Sequence, residues 1–381
     1  MKIHNYCLVD NIPDEILIKI LSKLPAKTLI RCMCVCKEWK SFIVKNKTHL
    51  IDTHLRQSSA TKYPIIPYVD FNDLSPKLLL LRDDKTLEHL ELPIFKYLQL
   101  NYVHSFVFIG SCNGLVCFNH WDDCTALWNP VTGDKRLIPD PMLDSHYNYH
   151  LSFGFDHINN DYKLVRITED NYSFELRVEI FRLSTNSWRE VKGISGYEIS
   201  FSDTFEIVNE VLYLLGAQHI REDETKTCIL RFNLCCEEFQ ETLDLPCIND
   251  QRITFSKWKE SFSMVERSSE GILEELEYNF WIMNDGLPGT RTYSWTKLFK
   301  ITGCSGCGYI SSFLGTCKDQ LVFHKYVKTT NHSELTFLDA MYHGNYRNNH
   351  TTIKNFGTSE DPAFCYIFDY VESLIPVNPR S

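Results

Sequence analysis

The sequence predicts a mainly β protein, in which a short N-terminal unit of three helices precedes a β-propeller of about six blades. Three observations carry that expectation. Apolar residues recur at helical spacing in the first fifty residues. Short strand-like runs broken by Gly, Asn, Asp and Pro fill the remainder. Similar aromatic strand segments return about every 50 residues.

The bulk properties frame this reading. A chain of 381 residues exceeds what one core usually takes, so two domains are the starting expectation. Hydrophobic residues at 44% and charged residues at 23% mark a globular chain. The net charge of −10 argues against a nucleic-acid partner, whose usual signature is a basic stripe. The apolar runs, Phe106-Val-Phe-Ile109 among them, fall far short of the ~20 residues of a membrane helix, so no membrane partner is expected. Met1-Lys-Ile-His-Asn-Tyr6 has no apolar signal region, and fifteen cysteines then read as reduced thiols in a cytoplasmic or nuclear protein.

The helical unit comes first. Residues 1–50 carry a net charge of +5, leaving −15 for the rest. Ile16, Leu17, Ile20, Leu21 and Leu24 form one stripe on a helix entered at Pro13-Asp14 and ended by Pro25. A second helix fits Lys27 to Met33, and a third fits Val35 to Val44 with Trp39, Phe42 and Ile43 apolar. So small a unit has more apolar surface than its own core can hide, which reads as a docking face. Packing entirely on its own chain is the alternative that patterning leaves open.

Ile12-Pro-Asp-Glu-Ile-Leu-Ile-Lys-Ile-Leu-Ser-Lys-Leu-Pro-Ala-Lys-Thr-Leu-Ile-Arg31, with Val35-Cys-Lys-Glu-Trp39 and Phe42-Ile43, resembles the F-box. Ile12 replaces the usual Leu, a volume-conserving change. The resemblance implies an F-box over residues 9–50 that binds a Skp-type adaptor and through it cullin and a RING subunit. The matching adaptor-facing positions are Ile12, Pro13, Ile16, Leu17, Leu21, Leu24 and Pro25, while Val35 and Trp39 would hold the helices together. The local positive charge would suit an acidic adaptor surface.

A connector is expected over residues 51–77, with the polar run His54 to Thr61 inside it. Beyond it, Thr125-Ala-Leu-Trp128, Val178-Glu-Ile-Phe181, Ile229-Leu-Arg-Phe232 and Asn279-Phe-Trp281 align as one recurring strand. Each leads to another: Lys135 to Ile138, Trp188 to Val191, Phe239 to Leu243 and Trp295 to Leu298. The anchors lie 53, 51 and 49 residues apart, a kelch-like period, although no Gly-Gly pair of standard kelch repeats occurs. Four strands per blade over residues 78–377 give about six blades. The first blade is short of strands, and Tyr366 to Val371 with Ser373 to Ile375 would complete it, leaving no open edge.

Gly110-Ser-Cys-Asn-Gly-Leu-Val-Cys117, Trp128-Asn-Pro-Val-Thr132, Phe153-Gly-Phe-Asp156, Asp161-Tyr-Lys-Leu-Val-Arg166 and Val371-Glu-Ser-Leu-Ile375 resemble the plant F-box-associated domain. That family includes the S-locus F-box proteins. The resemblance implies a non-catalytic substrate receptor of an SCF-type (Skp–cullin–F-box) ubiquitin ligase. Asn209-Glu-Val-Leu-Tyr-Leu214 departs from the family pattern, with Glu where Gly is usual and Leu where Trp is usual.

No nucleophile elbow, Walker A loop or His-Glu-x-x-His occurs, so no catalytic residues are assigned. Cys304, Cys307, Cys317 and His324 lack the second tight ligand pair of a structural zinc site, and neither metal nor cofactor is expected. Trp128, Trp188, Trp281 and Trp295 fall at repeat positions and read as core. Two alternatives stand beside the receptor. One is a propeller-based carbohydrate-binding protein or glycosidase, which needs paired carboxylates in one cleft. The other is an F-box scaffold outside any ligase. For substrate binding, the second-to-third-strand connections near 119–124, 168–176, 218–227 and 266–278 are expected to be long loops. They hold thirteen acids and three bases. Asp122, Asp123, Glu169, Asp170, Glu222, Asp223 and Glu224 are the candidate residues, suited to a basic protein partner.

Overall fold

The computed structural model describes residues 12–58, 62–70, 75–82, 87–92, 106–120, 124–143, 149–170, 174–200, 205–221, 224–246, 253–268, 277–285, 293–302, 309–317, 320–327, 332–339, 350–354 and 366–378. Four helices open it: α1 (Asp14–Leu21), α2 (Ala26–Met33), α3 (Lys37–Lys45) and α4 (Lys47–Ser58). Pro13 and Pro25 stand at the entries of α1 and α2, where a missing N–H costs nothing, and their carbonyls accept the first helical N–H groups. The Cys36 sulfur accepts the Trp39 N–H at the start of α3.

The apolar stripe of α1 divides. Leu17 and Leu21 point inward onto Ala26, Leu29, Ile43 and Leu50, whereas Ile16 and Ile20 stay 46% and 49% exposed. Trp39 packs on the edge of this core, but Val35 does not hold the helices together: it is 71% exposed at the turn between α2 and α3.

The connector expected over 51–77 is not one. Residues 47–58 form α4, which buries Leu50 and His54. The His54 ring bonds the Leu24 carbonyl at 3.1 Å, and burial lowers its pKa, so a polar residue completes an otherwise apolar face. The strands follow at once. The first sheet holds β1 (Tyr63–Asp70), β2 (Ser75–Leu81) and β3 (Leu87–Glu91); the second holds β4 (Phe106–Cys112), β5 (Leu115–His120), β6 (Cys124–Trp128) and β7 (Lys135–Leu137). The third is β8 (Tyr149–Asp156), β9 (Asp161–Asp170), β10 (Glu175–Arg182) and β11 (Ser187–Ser195). The fourth is β12 (Tyr197–Ile199), β13 (Phe205–Val208), β14 (Val211–Arg221), β15 (Glu224–Asn233) and β16 (Glu238–Phe239). The fifth is β17 (Ile253–Trp258), β18 (Ser261–Ser268), β19 (Glu277–Asp285) and β20 (Tyr293–Thr302). The sixth is β21 (Tyr309–Cys317), β22 (Gln320–Val327), β23 (His332–Asp339) and β24 (His350–Lys354).

The last strand, β25 (Phe368–Tyr370), returns to the first sheet and pairs antiparallel with β1 through Tyr63 and Tyr370. Among the described residues, five sheets thus have four strands and one has five, because β12 and β13 share one position beside β14. The inner strands stand side by side: β25 against β4, β4 against β8, β13 against β17 and β17 against β21. Gly154 of β8 faces Ile207 of β13, and the Ile367 N–H bonds the Leu314 carbonyl of β21, which completes the ring. The fold is a β-propeller.

The aromatic anchors all lie in third strands and pair with the strand that follows, as Trp128 with Lys135, Phe181 with Trp188, and Phe232 with Phe239. Trp128 and Trp188 are buried, and Trp281 and Trp295 are half-buried against their sheet's core. Polar contacts lock neighbouring sheets. Lys163 of β9 is fully buried, with its Nζ 2.5 Å from Asp156 of β8, 2.8 Å from Glu237 and 2.6 Å from the Leu234 carbonyl. Glu237 and Leu234 belong to the next sheet's last turn, so one cation joins two blades. The departure at Asn209-Glu210 still makes a tight hairpin turn, with φ of 48° and 65°. Glu210 takes this left-handed conformation without a glycine and uses its carboxylate to hold the His157 N–H and the Cys235 thiol.

Candidate functional site

Strand direction gives the propeller two unlike ends. First-to-second-strand turns and third-to-fourth-strand turns leave one end; second-to-third hairpins leave the other. The helical unit sits on the first of these ends. Leu374, 3% exposed, inserts from the C-terminal segment into the core of the helices, and Val131 of the β6–β7 turn packs against the same core. Asn129 of that turn donates to the carbonyls of Ser373 at 3.1 Å and Ile375 at 2.8 Å. Gly114, at φ 86°, lets the segment pass: a Cβ there would lie 2.3 Å from the Ser373 hydroxyl.

Charges complete the junction. Lys27 of α2 reaches Glu88 of β3 at 2.8 Å, Arg82 bonds Glu88 at 2.5 Å, and Arg82 also bonds Glu372 at 2.7 Å. Burial opposes the charge on Glu88, but the bonds from Lys27 and Arg82 prevail and hold its carboxyl below the usual range. One network therefore runs from helix to first sheet to C-terminal segment.

The expected adaptor positions divide accordingly. Pro13, Ile16 and Pro25 are exposed, Ile12 and Leu24 are half-buried, and Leu17 and Leu21 are enclosed in the helical core at 2% and 0% exposure. Leu17 and Leu21 thus shape the unit from inside, and Ile20, Val35 and Val44 join Ile16 as large exposed apolar residues on it. Ile20 was legible as part of the α1 stripe; Val44 gave no separate signal.

At the opposite end, the connections expected as long loops are in part strand. Glu169 is a buried residue of β9 that accepts the Ile199 N–H at 3.3 Å, and burial raises its pKa. It is not a surface residue, because β9 and β10 continue pairing to Asp170 and Glu175. Asp170 is half-buried. Strands β14 and β15 likewise stay paired to Arg221 and Glu224, so the described part of 218–227 is strand and not irregular loop. Glu224 is exposed, 3.7 Å from Arg221. Asp122, Asp123, Glu222 and Asp223 lie outside the described residues, as do Cys304 and Cys307. No group of His, Cys, Asp or Glu that could hold a metal occurs among the described residues, and no helix there is long and apolar enough to cross a membrane.

The inner strands enclose a cavity of about 620 Å³ on the propeller axis. Gly110, Phe205, Glu206, Lys257, Thr316 and Asp369 line it, as does Leu55 of α4.

Comparison with known proteins follows this division. The F-box associated beta propeller domain family matches residues 61–377, and an F-box-like domain matches residues 9–49. An F-box/kelch-repeat protein of Arabidopsis thaliana is 24% identical, over 77% of this chain and 80% of its own. Another Arabidopsis F-box protein is 24% identical over 97% of this chain and 95% of its own. Among solved structures, TolB from Acinetobacter baumannii is similar over 80% of this chain and 67% of its own, with a TM-score of 0.46 and 12% identity.

Proposed function

Because the chain belongs to the F-box-associated β-propeller family and carries an F-box, we propose that it is the substrate-recognition subunit of an SCF-type ubiquitin ligase. The helices bind a Skp-type adaptor, which brings cullin and the RING subunit. The propeller binds a protein substrate. The observation that carries this reading is the junction: Leu374 and the Lys27–Glu88–Arg82–Glu372 network fix the helices on one end, so the opposite end points away from the adaptor.

The mechanism is proximity. A receptor that holds substrate at one end and the ligase at the other raises the effective concentration of substrate lysines near the ubiquitin-loaded enzyme. The receptor itself supplies no nucleophile or base. Rigidity matters here, since effective concentration falls when the two ends move independently. The acidic excess of the second-to-third-strand connections favours a basic partner, through attraction that weakens with salt. Cytosol or nucleus is the compartment that such a ligase subunit would share with its partners.

The test is a substrate trap. Cells expressing Ile16→Asp/Ile20→Asp chain should retain proteins on the propeller that wild-type chain sends for ubiquitylation. Those proteins should carry less ubiquitin and reach higher levels. A captured set whose ubiquitylation and abundance are the same with both chains would contradict the reading.

A further inference from the structure

The axial cavity carries more structure than a water-filled hole requires. Among the described residues its charged groups pair off with one exception. Lys62 meets Asp369 at 2.9 Å, Lys257 meets Glu260 at 3.0 Å, and His157 meets Glu210. Glu206 accepts the Ile207 N–H at 3.0 Å but has no ion pair among the described residues. Among the described residues the lining holds four carboxylates and two lysines, so their unbalanced charge is negative.

Aromatic rings continue from strand to strand around the same axis. Phe108 of β4 lies 4.6 Å from Phe368 of β25, Phe368 lies 6.4 Å from Tyr366, Tyr366 lies 6.2 Å from Phe205 of β13, and Phe205 lies 4.6 Å from His150 of β8. Phe205 and Phe368 face the cavity. Burial pushes the His150 pKa down to about 3, so this ring is neutral and does not supply the missing cation. Ring faces are negative and attract cations, most strongly where water is scarce.

We propose that the axial cavity binds a small organic cation, an amine or quaternary ammonium, with Glu206 as its counter-charge and Phe205 and Phe368 as its aromatic wall. The volume of about 620 Å³ suits a small-molecule ligand. The cavity reaches the end that carries α4, where Leu55 lines it, which favours a small molecule over an inserted protein loop. The ligand would touch inner strands of several blades at once and so stabilise ring closure. This goes beyond the receptor reading and stands apart from it, since binding is measured on the chain alone.

Burial pushes Glu206 up to about 7, helped by Asp369 and opposed by backbone N–H bonds and Lys257. The other charged groups of the cavity, Lys62, Glu210, Glu260 and His157, are engaged in the pairs above. A cation prefers the ionised carboxylate, so binding should tighten as pH rises from below to above 7.

The experiment is calorimetric titration of the full chain with choline and with phenethylamine, with propionate as the anionic control. Saturable binding of at least one amine is expected, with none of propionate. Glu206→Gln should weaken it by about tenfold or more, the loss expected when one close opposite charge is removed. Phe205→Leu should weaken it about two- to fivefold. The pH dependence should persist in Phe205→Leu and vanish in Glu206→Gln. If Glu206→Gln does not fold, the wild-type pH profile and Phe205→Leu still decide. Absence of saturable amine binding at millimolar concentration overturns the proposal. So does equal binding by wild type and the Glu206 variant, or equal binding of propionate.

Discussion

Leu374→Ala is the perturbation that separates the two halves of the molecule most cleanly. Leu374 comes from the C-terminal segment, yet its side chain lies among Leu17, Leu21, Leu29 and Leu50 of the helices at 3% exposure. Truncation removes three buried carbons, about 2.4 kcal/mol of transfer free energy at ~0.8 kcal/mol per CH₂. The cavity left behind raises the cost to about 3 kcal/mol, inside the usual range for a buried leucine. That loss falls on the contact between helices and ring, not on the interior of any blade. A helical unit of about 47 residues is too small to hold its core alone, so it should melt before the ring. Thermal unfolding followed at 222 nm should then split into two transitions where wild type shows one, and limited proteolysis should cut within residues 12–58 first. A single transition at the wild-type temperature would refute the idea that Leu374 couples the two units.

Three further outcomes follow from other contacts. Lys163→Met leaves Asp156 buried without its cation, while Glu237 keeps Arg182 and Arg189, and should cost about 3–5 kcal/mol, seen as insoluble or low-melting protein. Burial alone would raise the Asp156 pKa, but hydrogen bonds from Lys163 and Asn159 outweigh it and hold the carboxyl well below the usual range. Its contribution is therefore present above the unfolded pKa of about 4 and lost as pH falls further, so wild type should lose stability on acidification below that point while Lys163→Met shows a shallower acid slope. Deleting residues 366–377 removes β25 and the Leu374 anchor and exposes the edge of β1; gel filtration should show aggregates, and a monomer of unchanged melting temperature would contradict the closure.

The repeating units were legible in the sequence because one physical constraint recurs in each blade. Trp128, Phe181, Phe232 and Trp281 sit in third strands, where a large side chain fills the space between neighbouring sheets. The closing strand was legible from the shortage of strands at the N-terminal side. The start of the ring was not. β1 reads Tyr63-Pro-Ile-Ile-Pro-Tyr-Val-Asp70, and Pro64 and Pro67 argue against a strand paired on both sides, since neither can donate to a ladder. Yet β1 lies between β25 and β2. Helix α4 was hidden for a related reason: His54 interrupts the apolar spacing of Leu50, Ile51 and Leu55, and its bond to the Leu24 carbonyl helps to hold the buried imidazole there.

The surfaces were harder to read than the fold. Periodicity places Ile16, Leu17, Ile20 and Leu21 on one broad stripe of α1 but does not say which half faces inward. That is set by α2, α3, α4 and by Leu374, which lies more than 350 residues away. Glu169 and Glu266 likewise read as loop acids by sequence, whereas strand pairing extends far enough to bury both. The axial cavity had no local signature, because Phe108, His150, Phe205, Glu206 and Phe368 come from four strands and meet only when the ring closes.

The central claim is that the exposed half of α1 docks an adaptor while the rest of the chain stays folded. Size-exclusion chromatography with light scattering, using purified chain and a purified Skp-type adaptor, measures it directly. Wild type should elute as a one-to-one complex. Ile16→Asp/Ile20→Asp should elute as free chain with an unchanged melting temperature, because both side chains face solvent in the isolated protein. Co-elution of the double variant with adaptor at wild-type stoichiometry would contradict the account.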